Sequence, residues 1–431
     1  MQARIKMALA VMLAGAALQP AAAQGSSPEA GSRSASGTLP GGASWTATIP
    51  ANWNGTLLLW SHGYSPTLPP AQDAPAAQRG ALLAAGYALA GSSYATAGWA
   101  LDSAPSDQLA TIDAFAHRFG KPRRVIAWGM SMGGLVTTAL AERSPKRIDG
   151  ALAMCGSIGG AVGMMNMALD GAYAFRTLLA PGSDIRLVRV GDDRANAGRV
   201  AAVLAEAQGS AQGRARVALA GVLAGLPGWT THDGPAPAAT DYAAQEAEIA
   251  RTFVMGVFLP RGDQEARAGG VFSWNTGVDY RAQLARSGRE PMVRALYRSA
   301  GLDLDRDLAT LNAGERVQAD PRAVKYMMAH YTPNARPTAP LLAVQMIGDG
   351  LTSPSLQRAY IDAAAANGRS VRALWVANAG HCTFDTPTVM ASVATLAGRL
   401  DTGRWPAPSQ HFVTYTPPPM LRPCVRGGRC R

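Results

Sequence analysis

The stretch at residues 124–143, RVIAWGMSMGGLVTTALAER, changes its period in the middle. Residues 124–128 form a short apolar run suited to a strand buried on both faces, whereas 135–143 read as a helix. Between them stands Gly129-Met130-Ser131-Met132-Gly133, the single Gly-x-Ser-x-Gly of the chain. A backbone that passes from strand to helix within so few residues brings its neighbours close. Gly129, Gly133 and Gly134 supply positions with no side chain to clash. Such a turn exposes the Ser131 hydroxyl at the carboxyl edge of a sheet.

The flanking sequence supplies the sheet. Residues 44–49 alternate like a strand, 52–55 (Asn-Trp-Asn-Gly) form a turn, and 56–60 are a buried-strand run that stops at Ser61-His62-Gly63-Tyr64. Helix (76–85), strand (87–90) and helix (108–119) follow, and a further strand at 150–154 comes after the serine turn. The rhythm breaks after Cys155: residues 157–336 are helical and loop-like, with no convincing buried strand. Alternation then resumes with a strand at 341–347, a helix at 355–365, a strand at 371–376 and a helix at 388–400. Strands alternating with helices imply crossover units and a mostly parallel sheet covered on both faces. The expected organisation is one α/β core, residues 44–156 and 337–405, interrupted by a helical insertion at 157–336 and followed by a tail at 406–431.

Residues 1–23 carry Arg4 and Lys6, an apolar run and Ala21-Ala22-Ala23, the order of a secretory signal peptide, so a secreted or periplasmic location is expected. Residues 24–43, rich in Ser, Gly and Ala, are predicted to be a flexible leader. With 48% apolar and 16% charged residues, the 431-residue chain is neither a disordered protein nor a membrane bundle. The net charge is +11, but the arginines are scattered and no basic run is interleaved with aromatics, which argues against a nucleic-acid partner. Four cysteines form an even set that allows three pairings; the expected one joins Cys424 to Cys430 across a small loop and Cys155 to Cys382. His-Glu-x-x-His, paired Cys-x-x-Cys and a dinucleotide glycine fingerprint are all missing from the sequence, so neither metal nor cofactor is expected.

A serine hydroxyl becomes a nucleophile only when a base takes its proton, and the base needs a third group to orient it. Of six histidines, His381 alone lies in a short loop after a strand in the last part of the sheet. Asp349 ends the preceding strand, giving the chain order serine, acid, histidine. Ser131, Asp349 and His381 are therefore the catalytic candidates, with the N–H groups of Met132 and Tyr64 as oxyanion donors. A competing order, His62, then Asp102 or Asp113, then Ser131, belongs to all-β proteases and conflicts with the strand–helix setting of Ser131.

These residues, with His62-Gly63 after a strand and Gly380-His381 in a late loop, resemble the α/β-hydrolase superfamily over residues 45–156 and 337–400. The resemblance implies an eight-stranded, mostly parallel sheet with a cap inserted after the sixth strand. It also implies an exported serine hydrolase that cleaves small-molecule or oligomeric carboxylic esters, esterase- or lipase-like, through an acyl-enzyme. The alternative is an aminopeptidase-like serine peptidase, for which Asp241, Glu246 and Glu248 in the cap would hold a free amino terminus. Met164, Met165, Met167, Tyr173 and Phe175 are expected to pack the cap's own core rather than line a pocket.

Overall fold

The computed structural model describes residues 31–428 and Cys430; the signal-peptide reading of residues 1–23 lies outside them. Eight strands form one sheet in the order β1-β2-β4-β3-β5-β6-β7-β8. They are β1 (Arg33–Thr38), β2 (Ser44–Ile49), β3 (Thr56–Ser61), β4 (Ala88–Ser92), β5 (Arg124–Met130), β6 (Gly150–Met154), β7 (Leu341–Gly348) and β8 (Arg372–Ala379). β1 and β2 pair antiparallel to their neighbours, and every pairing from β4 to β8 is parallel.

The apolar runs explain why the middle of the sheet is buried twice over. Successive side chains of a strand point to opposite faces. Leu57, Leu59, Val125 and Ala127 accordingly pack with Ile112, Phe115, Leu140 and Tyr360 on one face. Leu58, Trp60, Ile126 and Trp128 pack with Leu82, Val389, Val393 and Leu396 on the other. The first group of partners belongs to α2 (Ala104–Phe119), α3 (Met132–Arg143) and α13 (Pro354–Ala366); the second belongs to α1 (Ala76–Ala84) and α14 (Thr386–Thr402).

The structure corrects the flexible leader expected at residues 24–43. Residues 33–38 of that segment are strand β1, paired with β2 over six positions and joined by the Ser34–Thr48 hydroxyl contact at 3.0 Å. Five of the six β1 residues are exposed, so an edge strand held by backbone pairing left no apolar alternation in the sequence. Leu39 and Ala43, in the turn to β2, are buried.

Between β6 and β7 the described residues contain α4 (Ala161–Leu179), α5 (Asp193–Gln208), α6 (Ala211–Leu223), α7 (Tyr242–Val257), α8 (Gly262–Ala268), α9 (Tyr280–Arg286), α10 (Glu290–Ser299), α11 (Leu304–Ala313) and α12 (Pro321–His330). The cap inserted after the sixth strand is thus helical, as its sequence implied. Asp192, Ser210, Asp241, Asp279, Asp303 and Asp320 each accept a backbone N–H at a helix start, satisfying donors that the first turn leaves free. The cap has its own core, in which Phe175, Phe253, Tyr280 and Leu308 are buried. The tail runs back over the body. Val413 bridges to Trp375, and the buried Arg422 donates from Nη1 to both carboxylate oxygens of Asp170 on α4, at 3.0 and 2.9 Å.

Candidate active site

Ser131 occupies the turn between β5 and α3 with φ 57° and ψ −125°, a left-handed conformation that a non-glycine residue adopts only when its surroundings impose it. The glycines around it are required by contact. A Cβ on Gly133 would collide with the Ser61 carbonyl oxygen, and one on Gly129 would strike the Gly133 backbone. Sheet, turn and helix are therefore locked together at this point.

The two other candidates arrive from the neighbouring strand ends. Asp349 follows β7, whose pairing with β8 shifts register between Met346 and Gly348; such irregularities re-aim the side chains next to them. The Asp349 carboxylate is fully buried and held by donors on several sides. Leu351 N–H and Thr352 N–H donate to Oδ1, both at 2.9 Å, and Gln345 Nε2 donates to Oδ2 at 3.0 Å. His381, in the loop after β8, places Nδ1 2.9 Å from Asp349 Oδ2 and 3.1 Å from Oδ1. Its Nε2 stands 2.9 Å from Ser131 Oγ. The three residues singled out from the sequence thus meet in one hydrogen-bonded line.

Cys155, at the end of β6, is bonded to Cys382, with the two Cα atoms 5.4 Å apart. Both cysteines have positive φ, 41° and 59°. The bond fixes the residue next to His381 to the centre of the sheet. Cys424 is bonded to Cys430 in the tail, so both disulfides follow the expected pairing.

Two supporting residues escaped the sequence reading. Thr352 Oγ1 lies 2.9 Å from Asp349 Oδ2 and 2.8 Å from the Cys155 carbonyl oxygen. Gln345 bridges Asp349 and the Thr352 carbonyl through Nε2. Signals existed for both: Gln345 is a polar residue inside an apolar strand run, and Asp349 after Gly348 is an Asx-turn candidate whose side chain can take the N–H groups of Leu351 and the residue after it, Thr352.

The Gly63-Tyr64 segment faces the serine. A Cβ on Gly63 would stand 3.3 Å from Ser131 Cβ and 3.8 Å from Oγ, so the backbone here comes close to the hydroxyl. Met132 begins α3 immediately after Ser131, where the first helical N–H groups lack intrahelical acceptors. The Tyr64 ring packs against Trp99, centroids 5.0 Å apart.

His62, the competing base, is stacked on Tyr94 at 4.0 Å. Its ring nitrogens face the carbonyl oxygens of Gly63 and Ser93 at 2.7 and 3.2 Å. Burial lowers its pKa and outweighs those two carbonyl contacts. Asp102 is engaged by Arg267 and Tyr326, and Asp113 by Arg147. Neither joins the serine. Met164, Met165 and Met167 are buried in a cluster with Trp99, Met132 and Phe272, and Tyr173 and Phe175 are buried in the cap core. Among the described residues no group of three His, Cys, Asp or Glu side chains is placed to hold a metal ion, and no helix is long and apolar enough to cross a membrane.

No family model matches the chain. A curated relative, the o-phthalyl amidase of Xanthobacter agilis, is 30% identical over 411 residues, which span 86% of this chain and 88% of the amidase. Among solved structures, a puromycin hydrolase aligns with a TM-score of 0.40 and 12% identity, covering 89% of this chain but only 41% of that one. An esterase of Pyrococcus furiosus aligns with a TM-score of 0.38 and 11% identity, covering 87% and 91%. The relationship to the amidase extends over most of both chains, and this chain, with its eight-stranded, mostly parallel sheet, belongs to the α/β-hydrolase superfamily, in the family of that amidase.

Proposed function

We propose that the chain is a serine hydrolase of carboxylic acyl bonds. Ser131 Oγ attacks the carbonyl carbon while His381 Nε2 takes its proton; the same nitrogen then protonates the leaving group, and a water activated by His381 releases the acyl group from Ser131. Asp349 holds Nδ1–H and stabilises the imidazolium as it forms. Met132 N–H and Tyr64 N–H receive the oxyanion. The observation that carries this reading is the alignment of Ser131 Oγ, His381 Nε2 and Asp349 at 2.9 Å on each side of the imidazole.

Carboxylic esters are the first substrate class, because their leaving groups need the least help from His381. Amides are the second reading, favoured by the 30% identical relative named as an amidase. An aminopeptidase-like role gains no support from the cap acids. Glu248 accepts from Thr230 and Thr231, Glu246 from Gln208, and Asp241 caps α7. Two disulfides support a secreted or periplasmic location, where thiols oxidise.

The test compares a 4-nitrophenyl ester and a 4-nitroanilide of one acyl group in the wild type and in Ser131→Ala. Both activities should fall by about 10⁴-fold or more. Undiminished turnover in the variant overturns the reading, and the ester-to-amide ratio of the wild type decides between the substrate classes.

A further inference from the structure

Cap, core and tail meet around a cavity of about 570 Å³ that none of Ser131, Asp349 and His381 lines. Sites for small molecules typically enclose about 300–1,000 Å³, with apolar walls and a few placed polar groups. Trp229 and Pro418 supply apolar wall here, and Arg289, at the start of α10, supplies a cation.

Arg289 makes no ion pair with a carboxylate among the described residues. Arg216, Arg267 and Arg422 each meet a carboxylate. Arg289 instead donates to the Leu226 carbonyl oxygen and to Met292 Sδ. The ionisable group beside it is the phenol of Tyr415, which also lines the cavity. A guanidinium has five N–H donors, so three remain beyond those two bonds. Burial brings Arg289 down to about 10, which leaves it protonated at neutral pH, and burial pushes Tyr415 up, so its hydroxyl keeps its proton and can donate. A desolvated cation without a counter-charge is costly, and a planar guanidinium fork matches a carboxylate in two parallel hydrogen bonds.

We propose that this cavity is a second ligand site, which takes a monocarboxylate with an aromatic or aliphatic body. The carboxylate meets Arg289 and the Tyr415 hydroxyl, and the apolar body lies against Trp229 and Pro418. One cation suits one negative charge, which favours a carboxylate over a phosphate dianion. Ile347 and Ser353 also line the cavity; they bracket the loop that carries Asp349 and Thr352, so the ligand sits behind that loop and apart from Ser131.

The experiment is calorimetric titration of the full chain with 4-phenylbutyrate, a carboxylate that the proposed hydrolase chemistry leaves intact, beside the uncharged 4-phenylbutanol. One equivalent of the acid should bind, and the alcohol at least about tenfold more weakly, the loss expected when a charge-assisted pair is removed. Arg289→Gln should weaken the acid by a similar factor. Ala236→Trp places a large ring in the cavity from its exposed rim and should abolish binding without touching Arg289; if Arg289→Gln does not fold, Ala236→Trp decides alone. The inference is overturned by absence of binding to the wild type, by equal binding of acid and alcohol, or by unchanged affinity in either folded variant. Activity is not read, so these outcomes are independent of the role of Ser131.

Discussion

Asp349→Asn tests the whole line of three residues, and its effect follows from the hydrogen bonds around the carboxylate. Leu351 N–H and Thr352 N–H both donate to Oδ1, so the amide oxygen of an asparagine is compelled to take that place. Its NH₂ group then occupies the position of Oδ2, 2.9 Å from His381 Nδ1. An NH₂ donates to Nδ1, which moves the imidazole proton to Nε2, facing Ser131. His381 Nε2 is thereby turned from an acceptor into a donor toward Ser131. A wrong tautomer of this kind lowers kcat by about 10⁴-fold in a Ser-His-Asp triad, or about 5.4 kcal/mol at 1.36 kcal/mol per decade. The stability cost is smaller. Gln345 Nε2 loses its acceptor at Oδ2, but Gln345 Oε1 is buried without a partner. Rotating that amide would serve the new NH₂ while giving up the 2.9 Å bond to the Thr352 carbonyl. One buried polar group is left short, worth about 1–3 kcal/mol. Steady-state ester hydrolysis, with kcat and KM separated, and a thermal melt are the measurements. Activity within tenfold of wild type in a folded variant, or a loss confined to KM, refutes the reasoning.

Replacing Cys155 and Cys382 together by serine opens a loop of 227 residues, for which chain entropy gives an upper figure of about 5 kcal/mol. The denaturant midpoint should fall accordingly, and kcat should drop more than KM changes, because Cys382 adjoins His381, the proposed base; an unchanged kcat would remove the positioning role. Arg422→Met isolates Asp170, which burial pushes up to about 6 despite the arginine beside it. The unfolded chain releases this proton first, near pH 3.8, so this group's contribution to stability declines as pH rises from about 4 to about 6 and then levels off. The variant should therefore lose about 3–5 kcal/mol at pH 8, where the lone carboxylate must stay charged, and clearly less at pH 5, where it can protonate. Equal losses at the two pH values, read from denaturant midpoints, would count against the buried pair.

The central strands were legible because burial on both faces leaves continuous apolar runs, as in Leu57-Leu58-Leu59-Trp60. The serine turn was legible because its glycines answer to backbone collisions rather than to preference. His381 and Asp349 could be chosen because strand ends on one edge of a parallel sheet converge. β1 was hidden because an exposed edge strand, Arg-Ser-Ala-Ser-Gly-Thr, orders itself mainly through backbone pairing. Helix starts were read late: α2 begins at Ala104, where Pro105, Ser106 and Asp107 interrupt the apolar pattern, and α3 begins at Met132, where Gly133 and Gly134 blur it. The tail was illegible for another reason. Arg422 reads as a surface residue in any sequence, and only the carboxylate of Asp170, 252 positions earlier, makes its burial intelligible.

That pairing orders events during synthesis. Asp170 also accepts from Tyr280 and Gln283, while Arg422 Nη2 reaches the Trp274 carbonyl oxygen, so a single side chain near the carboxyl terminus closes a polar knot inside the cap. The cap's helices leave the ribosome well before residue 422 does. Until residue 422 has left the ribosome the knot lacks its cation, and a chain cut short ahead of Arg422 would carry a bare carboxylate in the middle of an otherwise finished cap.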